Sequence, residues 1–214
     1  MVNCHTHCGA KYEKFAYSNL FGFSVPKSEW GTGPAGLDST LGLSECDNVY
    51  RVKRENKEFK VTDEYIYTRW TPWNDVEIKT YIIPALPWHV RVHLITSARE
   101  LDSFEGGFAY PSEHVTNTEK TDNSAFAEFD GYKSGIVGLI GERRANLHGM
   151  EANTNLMYSR TSLPALTGRI NKGETVLACA VFCGEGGESL VPTAFVEDGK
   201  IKVTIMNKEI EIKI

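Results

Sequence analysis

Residues 70–93, WTPWNDVEIKTYIIPALPWHVRVH, indicate the fold of this chain more clearly than any other stretch. They contain three of the four tryptophans and two of the six histidines. The pattern predicts two β-strands, at 76–83 and 88–95, joined by Pro84-Ala85-Leu86-Pro87. We therefore expect a β-hairpin at the centre of the fold.

The second strand of this hairpin has two different faces, because successive side chains on a strand alternate. One face is apolar and begins with Trp88, which predicts a core position. The other face carries His89, Arg91 and His93. Arginine binds carboxylates through paired hydrogen bonds, and neighbouring imidazoles can donate hydrogen bonds or relay protons. This face is therefore a candidate site for an acidic or sugar-like ligand, or else an inter-sheet or interdomain surface where Arg91 pairs with Glu77 or another acid.

The register of the hairpin decides whether Glu77 joins this polar face. Glu77 shares the face of Arg91 and His93 only if the connection has an odd number of residues or contains a bulge. The two prolines favour such a connection. We predict that Glu77 lies near His93 or Arg91.

The rest of the chain also has the pattern of short strands. Asp198-Gly199 is the clearest two-residue hairpin turn, and segments 28–39 and 111–124 are predicted to be long loops. No segment has helical periodicity over three turns. We expect one all-β domain over residues 1–214, an antiparallel two-sheet β-sandwich. Further strands are predicted at 12–25, 48–54, 57–62, 64–70, 106–110, 125–130, 133–142, 175–183, 193–196, 200–206 and 209–214.

Composition excludes several classes of function. The net charge of −5 and the pI of about 5.7 argue against binding to nucleic acid or to an anionic membrane. No apolar run approaches the roughly 20 residues that span a bilayer, and the N-terminus has no signal-peptide pattern. The five cysteines are scattered, and Cys179 and Cys183 would lie too far apart on one strand to bridge. We expect a cytoplasmic protein with free thiols.

Two other features suggest binding. In Cys4-His5-Thr6-His7-Cys8, His5 and His7 would share a face and could supply two metal ligands. A zinc site needs three or four ligands, and no second pair has suitable spacing, so we predict no metal or other cofactor; a metal-dependent enzyme is the minority alternative. Trp30, in a glycine-rich segment, is the best candidate to stack on a sugar ring.

Five strings together resemble one protein family. They are GAKYEKFAYSNLFGFSVP (9–26), DSTLGLSE (38–45), the 70–93 segment, EGGFA (105–109) and NTNLMYSRTSLPALTG (153–168). They resemble, in matching order, the C-terminal half of a large bacterial family catalogued as domain of unknown function 2264. Its full-length members resemble two-part proteins, an (α/α) toroid followed by a β-sandwich, similar to polysaccharide lyases and to glycoside hydrolases that act on uronic-acid sugars.

The resemblance implies that the toroid domain precedes this chain and carries most of the catalytic cleft. His5, His7 and the segment Lys11–Lys14 would lie closest to that cleft. The implied function is the β-domain of a hydrolase or lyase of uronic-acid glycans, inactive alone and without an identified catalytic residue. The expected partners are an acidic oligosaccharide or polysaccharide and the toroid domain. Expected substrate-binding residues are His5, His7, Lys14, Trp30, His89, Arg91 and His93.

The alternative is a non-catalytic module that binds carbohydrate or serves in assembly. An assembly module would dock on a toroid partner or form homo-oligomers. It would expose a sizeable apolar patch on one face and would not bind acidic oligosaccharides.

Overall fold

The computed structural model describes residues 3–6, 16–22, 40–44, 56–107, 110–111, 114–129, 131–154, 157–185 and 190–214. These residues form β1 (Asn3–Thr6), β2 (Ala16–Gly22), β3 (Thr40–Ser44), β4 (Asn56–Val61), β5 (Ile66–Trp73), β6 (Val76–Ala85), β7 (Trp88–Ser97), β8 (Leu101–Gly106), β9 (Tyr110–Pro111), β10 (Val115–Lys120), β11 (Ser124–Phe129), β12 (Tyr132–Ile140), β13 (Arg143–Thr154), β14 (Met157–Ile170), β15 (Gly173–Glu185), β16 (Thr193–Glu197), β17 (Lys200–Ile205) and β18 (Lys208–Lys213). In this part of the chain, no helix is long and apolar enough to cross a membrane.

The strands form three antiparallel sheets, which confirms the predicted all-β sandwich. The central sheet has eight strands in the order β10-β11-β12-β15-β7-β6-β5-β4. A seven-stranded sheet has the order β1-β2-β3-β8-β14-β13, with β9 paired to β14. The third sheet, β16-β17-β18, was not expected as a separate layer.

The central sheet is covered on both faces. On one face, Trp88, Val90 and Val92 of β7 pack in one cluster with Ile201 and Val203 of the three-stranded sheet. The opposite face packs against the seven-stranded sheet. Its contacts form two clusters, one of Ala125, Ile136, Ala145, Leu166, Cys179 and Val181 and one of Val76, Ile78, Ile95, Leu101, Ile170 and Leu177. The polar face of β7 is therefore internal, and not open to solvent.

The predicted position of Glu77 is wrong. Strand pairing continues through Pro84↔His89 and beyond, so only two residues, an even number, remain in the turn. The ladder pairs Glu77 with Thr96, which places Glu77 on the face opposite Arg91. Its carboxylate instead accepts a hydrogen bond from Arg69 Nε at 2.9 Å.

Other local predictions are confirmed, and some strands were missed. Asp198 and Gly199 both have positive φ, 50° and 70°, as a tight two-residue hairpin requires. Cys179 and Cys183 are both free thiols. The predicted loop at 111–124 contains strand β10, and β3, β13, β14 and all of β8 except Gly106 were not predicted. The predictions for 28–39 and 48–54 lie outside the described residues.

Gly135 gives Phe126 room to reach the core. The two residues are cross-strand partners in β11 and β12. A Cβ atom at Gly135 would lie 2.0 Å from Phe126 Cδ1. The Phe126 ring lies across Gly135 and packs edge-on against Trp88, with ring centroids 6.3 Å apart.

We therefore expect Gly135→Ala to lower the free energy of unfolding by about 1–3 kcal/mol, because the added methyl group displaces Phe126. Gly138→Ala is the matched control, since its Cβ would meet nothing closer than 3.6 Å. This control should leave stability unchanged or raise it by up to about 1 kcal/mol. Urea unfolding of both variants measures the difference, and equal stabilities would contradict the packing argument.

Candidate functional site: a buried charge cluster between two sheets

A cluster of five charged or titratable side chains lies between the central and seven-stranded sheets. β7 contributes His89, Arg91 and His93, and the seven-stranded sheet contributes Glu105 from β8 and Arg143 from β13. All five are buried, with exposed fractions between 1% for Glu105 and 7% for Arg143. We call these residues the inter-sheet cluster.

Glu105 is the centre of the inter-sheet cluster. Its Oε1 lies 2.9 Å from His93 Nε2 and 3.5 Å from Arg91 Nη1. Its Oε2 accepts a hydrogen bond from Arg143 Nη1. Burial alone would raise the pKa of Glu105, but His93, Arg143 and Arg91 outweigh burial and hold this pKa well below its usual range. The carboxylate is therefore ionised and cannot serve as a general acid near neutral pH.

Arg91 links Glu105 to two further acceptors. Its Nη1 also donates to the Gly106 carbonyl at 2.8 Å, and its Nε donates to His89 Nε2 at 3.0 Å. Because a guanidinium can only donate hydrogen bonds, His89 Nε2 must accept, and the His89 ring is neutral. Burial, followed by the charge of Arg91, lowers the pKa of His89 well below its usual value. His89 is thus a fixed acceptor.

His93 and Arg143 connect the cluster to neighbouring strands. His93 Nδ1 lies 2.9 Å from the buried hydroxyl of Thr80 on β6, which orients the ring toward Glu105. Arg143 Nη2 donates to the Ala178 carbonyl of β15 at 2.5 Å. The inter-sheet cluster therefore joins three central-sheet strands, β6, β7 and β15, to two strands of the seven-stranded sheet.

Cys179 adjoins the inter-sheet cluster but is not a reactive thiol. Burial, reinforced by the charge of Glu105, raises its pKa far above its usual value. The nucleophilic form of cysteine is the thiolate, so Cys179 remains a packed, protonated side chain. In the described part of the chain, no group of three or more His, Cys, Asp or Glu residues could hold a metal ion.

The structure brings together three of the seven predicted binding residues. His89, Arg91 and His93 are 6%, 2% and 2% exposed, so a polymeric ligand could contact them only if the sheets separated. Arg91 faces a carboxylate as predicted, but it is the internal carboxylate of Glu105. Contact of these residues with a sugar stays a prediction. The backbone of His5 lies in β1, but its side chain is outside the described part of the structure. His7, Lys14 and Trp30 also lie outside the described residues.

Sequence reasoning missed Glu105 as the partner of Arg91, and Arg143 as the second arginine that contacts Glu105. One signal was available for Glu105, since Leu101, Ser103 and Glu105 alternate in β8 and all face inward. No local sequence pattern indicated which residues would pair with Glu105 across the two sheets. Glu105 and Arg143 are 38 residues apart in sequence.

This combination of sheets and internal cluster defines a β-sandwich domain closed by a buried ion-pair network. The family model of the DUF2264 C-terminal domain matches residues 3–202, and the chain belongs to that family. Comparison with curated proteins gave no match.

Solved structures with a similar fold include heparan sulfate lyases and a heparinase III. A mutant of heparan sulfate lyase HepC from Pedobacter heparinus has a TM-score of 0.62 at 12% identity, covering 90% of this chain and 33% of the lyase. HepC itself has a TM-score of 0.56 at 15% identity, covering 82% of this chain and 30% of the lyase. The heparinase III BT4657 gene product has a TM-score of 0.53 at 12% identity, covering 77% of this chain and 28% of the heparinase. The chain thus spans at most about a third of these lyases and shares their fold over that part.

We expect Glu105→Gln to lower the free energy of unfolding by about 3–5 kcal/mol, because it leaves two buried guanidinium groups without their carboxylate. The matched control is Glu77→Gln, whose carboxylate pairs with Arg69 at a half-exposed position. This control should cost at most about 1 kcal/mol. Chemical denaturation of both variants checks the difference, and equal losses would mean that the inter-sheet cluster contributes no more than a surface ion pair.

We also expect His89 to make stability depend on pH. The folded protein holds His89 neutral, whereas an unfolded histidine has a pKa of about 6.5. Below that pH the unfolded chain takes up a proton that folded His89 does not, so stability falls as the pH drops. In His89→Gln, whose side-chain oxygen can still accept from Arg91, the slope of stability against pH should decrease by up to about 1.4 kcal/mol per pH unit.

Unfolding midpoints measured at several pH values below 6.5 test this slope. Lys213→Gln, at an exposed position outside the inter-sheet cluster, is the control and should retain the wild-type slope. If His89→Gln also retains the wild-type slope, His89 is not the residue that the folded protein keeps unprotonated.

Proposed function

We propose that this chain is the C-terminal β-sandwich domain of a two-part carbohydrate-active protein, a glycoside hydrolase or polysaccharide lyase of uronic-acid glycans. The observation that carries the proposal is the shared fold with heparan sulfate lyases, over 90% of this chain but 33% of the lyase chain. A toroid domain outside this sequence would supply most of the cleft. The domain alone should therefore bind acidic glycans weakly and turn them over poorly or not at all.

The inter-sheet cluster supports a structural role for His89, Arg91 and His93 in this function. Each hydrogen-bonds within the protein interior, and the Glu105 carboxylate occupies the position that a ligand carboxylate would need. Ion pairs across both sheets would hold the sandwich as a rigid support for a cleft at its edge. We assign direct ligand contact to the N-terminal segment instead.

Four residues of that segment have suitable chemistry. His5, His7 and Lys14 can donate hydrogen bonds to a sugar carboxylate, and the Trp30 ring can stack on the apolar face of a pyranose. The backbone of His5 belongs to β1, the terminal strand of the seven-stranded sheet. An uncovered sheet edge would be accessible to a ligand or a second domain, whereas the inter-sheet cluster is buried.

The assembly module remains the second candidate, and a group of exposed apolar side chains near the third sheet favours it. Leu190, Val191, Phe195 and Val196 are 84%, 47%, 47% and 49% exposed. Single exposed apolar side chains are normal on a protein surface, whereas larger apolar patches mark interaction sites. This candidate would leave the chain without affinity for acidic sugars.

We expect the chain to bind an oligoglucuronide and to lose this binding when the carboxylates of the same oligosaccharide are reduced to alcohols, because the proposed site recognises charge. Trp30→Ala should weaken binding about tenfold, since stacking contributes on the order of 1–2 kcal/mol. Isothermal titration calorimetry measures both effects, and Lys14→Ala should reduce affinity as well.

One control variant and two contrary outcomes make the test decisive. Lys202→Ala removes a partly exposed lysine that pairs with Glu197 on the outer sheet and should not change affinity. Normal enzyme rates of uronide turnover by this chain would contradict the need for a second domain. Absence of binding to either oligosaccharide would favour the assembly module, and light scattering would then test for self-association.

A further inference from the structure

The inter-sheet cluster has an excess of positive charge. Arg91 and Arg143 are always protonated, and Glu105 is the only carboxylate among the buried residues in the described part of the chain. His89 is neutral because it accepts from Arg91. Whether His93 is neutral or charged, the cluster carries at least one net positive charge.

The same two arginines have N–H groups that are not used. Arg91 Nη2 and Arg143 Nε are buried and have no hydrogen-bond partner among the described residues. Their side chains are only 3% and 1% exposed. Both guanidinium groups contact the one carboxylate of Glu105, so the unused donors belong to the same cluster.

An uncompensated charge and unused donors in a protein interior both carry a high energetic cost. A bound water could accept these hydrogen bonds, but it would leave the net charge unchanged. A small anion would supply both the acceptor and the missing negative charge. It must be small because Val181, Leu166 and Ile136, which pack between the same sheets, are completely buried.

We propose that the inter-sheet cluster is a binding site for a monovalent halide ion, chloride in solution, held by Arg91 Nη2 and Arg143 Nε. Binding is internal and is distinct from any sugar-binding site at the sheet edge. The ion neutralises the cluster and stabilises the contact between the two sheets. This inference does not depend on the proposed carbohydrate function.

Thermal unfolding tests the proposal on the full chain. A ligand that binds only the folded state raises its stability with each tenfold increase in concentration above the dissociation constant. The unfolding midpoint should rise by about 3–6 °C per tenfold increase in chloride, when chloride replaces gluconate at constant sodium and ionic strength. Gluconate is a much larger anion than chloride, and equal midpoints in the two salts would overturn the proposal.

Variants locate the effect within the protein. Arg91→Met removes the excess charge, so the midpoint of this variant should no longer respond to chloride. Arg69→Gln removes a half-exposed arginine outside the cluster and should preserve the response. A full response in Arg91→Met would place the ion elsewhere and would also overturn the proposal.

Bromide keeps the proposal testable if Arg91→Met does not fold. Crystals of the wild-type chain in sodium bromide should show an anomalous peak within hydrogen-bonding distance of Arg91 Nη2 or Arg143 Nε. Peaks confined to surface lysines would indicate an adventitious ion only and would refute an internal site.

Discussion

The ionised carboxylate of Glu105 is the constraint on which the arrangement of the two larger sheets depends. A buried carboxylate is tolerated only where charged partners compensate for its desolvation. Those partners come from β7 and β13, and Arg143 is also bonded to the backbone of β15. A one-residue shift of β7 would turn Arg91 and His93 to the opposite face and break their contacts with Glu105. We infer that the cluster contributes more to the specificity of register than to net stability.

The three-stranded C-terminal sheet covers the apolar face of β7. With one face of β7 occupied by charges, Trp88, Val90 and Val92 must be buried on the other face. Ile201 and Val203 supply that cover. The C-terminal strands are therefore part of the fold rather than an appendage, and the central sheet is a middle layer with two chemically different interfaces.

The sequence predicted what depends on neighbouring residues and failed where distant residues decide. The hairpin at 70–93 and the Asp198-Gly199 turn were correct because alternation and turn chemistry are local. The register of Glu77 was wrong because it depends on where pairing ends, and pairing included Pro84. β10 was missed because it is an edge strand with mostly exposed side chains and no apolar alternation. The pairing of Arg91 with Glu105 joins two sheets and leaves no pattern in either strand.

The internal carboxylate changes how the polar face of β7 relates to function. A surface His-Arg-His pattern and an internal one look identical in sequence, because alternation defines the two faces but not what covers them. Once Glu105 occupies Arg91, that face stabilises the sandwich and cannot also remain open to a polymer. Under the proposed function, recognition of a glycan would then require residues at a sheet edge, together with a second domain that would complete a cleft there. A rigid sandwich suits that arrangement, since a cleft between two domains retains its geometry only if each domain holds its own shape.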